Sequence, residues 1–325
     1  MAYETSHKWA FGGGPMKAIA AAAVLLIALA ADSHAAQTGS RYFNSGDGRL
    51  SLATNKGNAR FNGIYRNPDG SYDESALRRI NQIFLARYED PSSRISPRLI
   101  ELIDFIQDRF APNALVTITS GYRSPRYNTN LRNNGALAAK ASLHQYGMAA
   151  DLWIKGVSSE EVWNFIKDSG FGGAGFYHGK NIHIDVGPAR SWDEATSGVG
   201  TDISEDNKLI GIVAGRDIYL PGEAISLRFI RMTAFPIGVG RKFVLEEQDR
   251  RGQWKENLSF APTFAQDSGA DCPSFSTIAQ MSGFEWKLPG DLKPGRYRVR
   301  ADFCESRYAE MPAWIVTPEF EVRAR

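Results

Sequence analysis

The sequence predicts an α+β domain followed by an all-β, sandwich-like domain. Three observations carry that expectation. Between residues 73 and 170, apolar residues recur at helical spacing in three separate runs, with β-branched strand segments among them. Beyond residue 208 the pattern changes to short strands of alternating polarity separated by Pro-Gly and Gly-Arg turns. Between the two, SWDEATSGVGTDISEDNK (191–208) is polar and acidic, as a linker is. The expected organisation is a signal peptide over 1–36, a first domain over 37–195, a linker over 196–208 and a β domain over 209–325.

The N-terminal assignment rests on Met16 and Lys17 followed by AIAAAAVLLIALAA, an apolar run of about fourteen residues. That is the length of a signal-peptide core and short of the roughly 20 residues a membrane span needs. Ser33, His34 and Ala35 offer small residues at the cleavage-defining positions, so cleavage is expected after about Ala35 or Ala36. The mature chain is then periplasmic or secreted, with no stable membrane span. An uncleaved N-terminal anchor is the alternative. The 325-residue chain has ordinary soluble composition, 43% hydrophobic and 23% charged, and its net charge of +2 is too small to argue for a nucleic-acid partner. Its two cysteines, Cys272 and Cys304, form an even pair in an exported chain and are expected to be disulfide-bonded.

From Gln37 to about Tyr72, RLSLAT and ARFNGIY are weak strands, and Asn67 to Gly70 (NPDG) is a turn. Asp73 caps a helix over ALRRINQIFLARY, which places Leu77, Ile80, Ile83 and Phe84 on one stripe. A second helix follows Ser96 and Pro97, with Leu99, Leu102, Ile103 and Ile106 on its stripe. ALVTITS (114–120) is a buried strand that delivers GYRSP to the loop at its end. There Arg123 can clamp a carboxylate or carbonyl oxygen of a substrate, or pair structurally with a nearby acid. Asn128 and Leu131 are expected to fix and pack that loop, and residues 132–142 to form a mobile loop beside the substrate. In VSSEEVWNFIKDSG, Ser158 is the expected helix cap and Glu161 its capping-box acid, so Glu160 and Glu161 are helix-start charges. Gly170, Gly172, Gly173 and Gly175 form a flexible connection to the next strand.

The stretch from Ser142 to Asp185 carries the chemistry. Of the five histidines, His7 and His34 lie in or before the signal segment, so every histidine of the mature chain falls in this window, as His144, His178 and His183. Two imidazoles and a carboxylate, His144, His183 and Asp151, form the ligand set of a hydrolytic zinc, which keeps a fourth position open. MAADLWI and KNIHIDV are the strands bearing Asp151 and His183, and their period of two sets Asp185 on the same face as His183.

Ser142, His144, Gly147, Ala149 and Asp151 spell S-x-H-x-x-G-x-A-x-D, His183 and Asp185 spell H-x-D, and residues 120–125 spell S-G-Y-R-S-P. In that order they resemble the zinc D-Ala-D-Ala peptidases, relatives of lysostaphin and of the hedgehog signalling domain, and within them the murein endopeptidase K-like branch. The resemblance covers roughly residues 45 to 195. It implies a zinc metallopeptidase domain with an antiparallel sheet and flanking helices, one Zn²⁺ per chain, and hydrolysis of peptidoglycan stem peptides or cross-links as an endopeptidase or carboxypeptidase. Relatives place a His two residues before the last zinc ligand, or a Glu three before it; here those positions are Asn181 and Lys180. His178 is then the candidate general base and Asp185 the second, the latter also suited to orient a ligand imidazole. Tyr122, Tyr177 and Ser142 complete the substrate-side candidates. A catalytically inactive zinc module that binds or recruits at the cell wall is the alternative. The β domain, with strands in RDIYLPGEAISLRFIR, GRKFVLEEQD, FEWKLP, GRYRVRADFC and WIVTPEFEVRA, weakly resembles immunoglobulin-like modules, which implies a protein or wall partner, or a spacer with none.

Overall fold

The computed structural model describes residues 39–135, 142–196, 210–231, 236–264, 269–281, 283–307 and 311–324. The expected signal segment and most of the 132–142 loop and of the linker lie outside them.

The first region is built on a seven-stranded sheet ordered β2-β1-β3-β4-β6-β5-β7. Its strands are β1 (Arg49–Thr54), β2 (Arg60–Ile64), β3 (Val116–Ser120), β4 (Ala149–Ile154), β5 (Gly173–Phe176), β6 (Ile182–Asp185) and β7 (Arg190–Asp193). The sheet is mixed, which corrects the antiparallel expectation: β1 with β3 and β5 with β7 pair in parallel. The chain between β1 and β3 includes two helices, and a long excursion of that kind returns a strand in the same direction.

Those helices are α1 (Glu74–Ile83) and α2 (Pro97–Phe110). Asp73 caps α1 by accepting from the Ala76 amide, and both expected stripes are buried. α1 ends five residues before the expected stop at Tyr88. Leu85 takes φ of 58°, and the Phe84 carbonyl accepts from Tyr122, a partner from the GYRSP loop. That loop leads into α3 (Pro125–Asn133), so Asn128 and Leu131 are helical rather than loop residues. α4 (Ser159–Ser169) starts after Ser158, whose side chain makes no capping bond, and carries Glu160 and Glu161 in its first turn.

The rest is β-rich. β8 (Ile210–Ala214), β10 (Ala224–Arg231), β13 (Thr263–Phe264) and β15 (Phe284–Lys287) form a four-stranded sheet ordered β13-β15-β10-β8. A second sheet runs β12-β11-β16-β18-β9, from β9 (Ile218–Tyr219), β11 (Ile237–Gln248), β12 (Trp254–Phe260), β16 (Gly295–Phe303) and β18 (Phe320–Val322). Beside it, β14 (Ser274–Phe275) pairs with β11, and β17 (Trp314–Val316) with β16. Buried rings join the two sheets: Phe229 and Phe284 of the first meet Phe243 of the second at centroid distances of 6.2 and 6.4 Å. Cys272 and Cys304 are bonded, as expected, with Cα atoms 5.8 Å apart.

The two regions meet through polar contacts. Arg98 of α2 pairs with Asp217, whose other carboxylate oxygen accepts from the Phe43 amide. Arg41 pairs with Glu223, and Arg228 of β10 donates to the Tyr146 carbonyl at 2.9 Å.

Candidate metal centre

Strand register assembles the site. Asp151 of β4 sits opposite His183 of β6, which sits opposite Gly175 of β5, which sits opposite Trp192 of β7. Residues paired across a sheet share a face, so these four form one row. Next to it, Ala149, Asp185, Gly173 and Arg190 form a second row on that face. His144 arrives from a 3-10 turn (Leu143–Tyr146) just before β4. Ser142 caps that turn by accepting from the His144 amide at 3.4 Å, and Gly147 closes it in the left-handed conformation, against the Arg94 carbonyl, where a Cβ has no room. Ser142 is thus a cap for the His144 turn.

His144 Nε2, Asp151 Oδ1 and His183 Nδ1 converge on one point. Their separations are 3.3 Å between the imidazoles, 3.0 Å from Asp151 to His183 and 3.4 Å from Asp151 to His144. Ligands about 2.0–2.1 Å from a tetrahedral zinc stand about 3.3–3.4 Å from one another, so the triangle is of the right size. All three side chains are buried.

The opposite atom of each ligand is held. His144 Nδ1 lies 2.7 Å from the Gly121 carbonyl and must donate to it, which leaves Nε2 as a lone pair facing the triangle. His183 Nε2 lies 2.9 Å from Asp185, which frees Nδ1 in the same way. Asp151 Oδ2 accepts from Arg123 Nη2 at 2.6 Å, while Tyr177 donates to Oδ1 at 2.9 Å. Burial alone would raise the Asp151 carboxyl, but the two imidazoles, His144 first, hold it well below the carboxylate range. Burial opposes charge on His183 too, yet Asp151 and Asp185 raise its pKa. An ionised carboxylate between two imidazoles is a pocket for positive charge.

Asp185 is fully buried and saturated with donors. Besides His183 it accepts from Arg190 Nη1 and Nη2, at 2.9 and 2.6 Å, and from the Gly187 amide at 2.9 Å. Burial would raise its pKa, but Arg190 and His183 hold it far below the usual carboxylate range. It therefore orients His183 and has no lone pair free for a general base. His178 stands elsewhere. It pairs with Asp193 at 2.6 Å and lies on the Phe176 ring, which stacks on Trp163 of α4. Phe176 and Asp193 alternate with Gly175 and Trp192, so His178 belongs to the opposite face of the sheet. Tyr122 lines a separate hollow of about 510 Å³ with Lys56, Leu85 and Tyr127.

Two contributors escaped the sequence reading. Arg190 and Trp192 fall where composition turns polar toward the linker, yet they lie on β7, Arg190 on Asp185 and Trp192 with its ring 5.6 Å from that of His183. The glycines expected to be flexible explain how they fit. A Cβ on Gly175 would overlap the Trp192 ring, and one on Gly173 would overlap Asp185 and Arg190. The strand signal was there, as bare backbone under bulky neighbours.

The same residues match known proteins. A family model described as peptidoglycan L,D-endopeptidase MepK, of the M15 peptidases, matches residues 45–192. The MepK of Escherichia coli strain K12 is 32% identical over 122 residues, 37% of this chain and 67% of that protein. The chain belongs to this family. A probable MepK of Haemophilus influenzae is 29% identical over 123 residues, covering 37% and 66% of the two chains. The family is one of metallopeptidases, and the β-rich region lies beyond the matched residues. Among solved structures, the sporulation control protein Spo0M of Bacillus subtilis gives a TM-score of 0.21 at 11% identity, covering 35% of this chain and 48% of that one, too remote for any conclusion.

Proposed function

We propose that this chain is an exported zinc metallopeptidase that hydrolyses peptidoglycan stem peptides or cross-links, with the L,D-endopeptidase specificity of its relatives. The convergence of His144 Nε2, Asp151 Oδ1 and His183 Nδ1 on one point, each oriented from behind, carries the reading. Bound there, Zn²⁺ supplies Lewis-acid polarisation of the scissile carbonyl and lowers the pKa of water at its open position.

The protein's own part is orientation. Gly121, Asp185 with Arg190, and Arg123 with Tyr177 fix the three ligands, so that their lone pairs are preorganised. Arg123 directs Nε to Ser120 and Nη2 to Asp151, and Nη1, without a partner among the described residues, is proposed to meet a substrate oxygen at the edge of the site. Trp192 and Tyr177 pack edge-to-face and wall the site beside His183 and Asp151. The β-rich region is proposed to be an immunoglobulin-like sandwich that positions the peptidase on a wall or protein partner. The Cys272–Cys304 bridge suits an oxidising compartment outside the cytoplasm.

A second reading, a zinc-containing wall-binding module without catalysis, is favoured by one observation: neither His178 nor Asp185 offers a free base at the cluster. Digestion of purified cross-linked muropeptides separates the two, run with and without a chelator and beside His183→Ala. Metal-dependent loss of cross-linked species that needs His183 supports the peptidase, and the product masses name the bond. Zinc near one per chain without cleavage leaves the binding module.

A further inference from the structure

Between the two regions lies a cavity of about 590 Å³ lined by side chains from both. That is within the roughly 300–1,000 Å³ of small-molecule sites. Its charged lining is one-sided: Arg94, Arg98, Arg216 and Arg228 against a single carboxylate, Glu285. Two of the four are already engaged. Arg98 is neutralised by Asp217, and Arg94 lies over the Tyr88 ring with Nε on the Tyr88 carbonyl. Arg216 and Arg228 form no ion pair with a carboxylate among the described residues. Among the described residues the Arg228 side chain makes one hydrogen bond, to the Tyr146 carbonyl, and burial pushes its guanidinium below the ordinary value.

The Arg228 guanidinium is drawn partly out of water without a counter-charge, which is unfavourable, and an oxyanion restores the balance through charge-assisted, often bidentate hydrogen bonds, with the exposed Arg216 as a second cation at the rim. The start of α2 adds to the same field. Ser96 and Pro97 line the cavity, Ser96 makes no side-chain cap bond, and the first turn carries no acid. A helix N-terminus without an acidic side chain favours a bound anion.

We propose that this cavity binds a ligand bearing an oxyanion, carboxylate or phosphate, with Arg216 and Arg228 as its principal contacts. The match to the M15 family reaches one wall of the cavity only, since the arginines of β10 and of the turn after β8 lie beyond residue 192. Two sources supply such a group: the free carboxylates of a stem peptide, which rests on the function proposed above, and a phosphate-bearing molecule, which does not.

The test is calorimetric titration of the zinc-loaded full chain with inorganic phosphate and, separately, with a stem tripeptide carrying free carboxylates. Saturable binding of at least one probe is expected, weakened about tenfold or more in R216Q and in R228Q and largely restored in R228K. Binding of the tripeptide alone assigns the stem carboxylates, and binding of phosphate assigns a phosphate ligand whether or not the chain hydrolyses peptidoglycan. Absence of saturable binding by either probe overturns the proposal, as does binding that R216Q and R228Q both retain, which would place the anion at the metal instead. Arg216 is exposed, so R216Q keeps the test valid if R228Q fails to fold.

Discussion

Asp185→Asn isolates the carboxylate behind His183. In the folded chain this buried side chain receives four hydrogen bonds, from His183 Nε2, both Arg190 amino groups and the Gly187 amide. An amide of the same shape has one acceptor oxygen and one donor group, so at least one buried donor must face another donor. Breaking a buried ion pair from one side costs about 3–5 kcal/mol. Arg190 keeps 22% of its side chain exposed, and that contact with water places the expected loss at the lower end, about 3 kcal/mol. The orienting bond to His183 is lost with it, and outer partners of this kind are worth about 10–100-fold in metal affinity. Zinc affinity measured by competition with a chromophoric chelator should therefore fall by one to two orders of magnitude, alongside a lower denaturation midpoint. A variant that binds zinc as tightly as the parent, at unchanged stability, would refute the assignment of Asp185 as the group that fixes His183.

Three further outcomes are expected. His178→Ala should leave muropeptide cleavage within about threefold, because its exposed pair with Asp193 is of the surface kind; a hundredfold drop in kcat would return His178 to the reaction. Burial pushes the Asp104 carboxyl up to about 8, so the folded chain takes up a proton there. Folding stability from this group is then present at low pH and is lost as pH rises from about 4 to about 8, at up to about 1.4 kcal/mol per unit. Asp104→Asn keeps an acceptor for Tyr65 and the Gly48 amide, and should flatten that slope in urea titrations at pH 5, 7 and 9; parallel curves would contradict it. Cys304→Ser opens the 32-residue separation closed by the disulfide and should cost about 3–4 kcal/mol in the β-rich region, read from denaturant midpoints, with no effect of added reductant on the variant.

The parts legible in the sequence are those written in local periodicity or in a short motif. The α1 and α2 stripes, the Asp73 cap and the strands bearing Asp151 and His183 follow from spacing, and the expected ligand set follows from residue type and a short motif. What escaped was decided by partners distant in the chain. α1 stops because Tyr122 takes the Phe84 carbonyl and Asn81 bonds both the Leu77 carbonyl and the Ile95 amide. His178 faces away because register gives its neighbour Phe176 to the α4 side, which no count of histidines reveals. β12 alternates polar and apolar residues too weakly to stand out, and gains its place by pairing along β11.

Asp217 carries a consequence for the order in which the chain takes shape. Its side chain binds Arg98 and the Phe43 amide, and its carbonyl accepts from the Glu321 amide, beside the parallel pairing of β9 with β18. One residue thus joins the start of the peptidase region, its second helix and a strand made long afterwards. Because β18 follows the other partners in the chain, the bond to the Asp217 carbonyl can form only after the partners of the Asp217 carboxylate have been made. The junction is therefore complete only once residues 320–322 are in place.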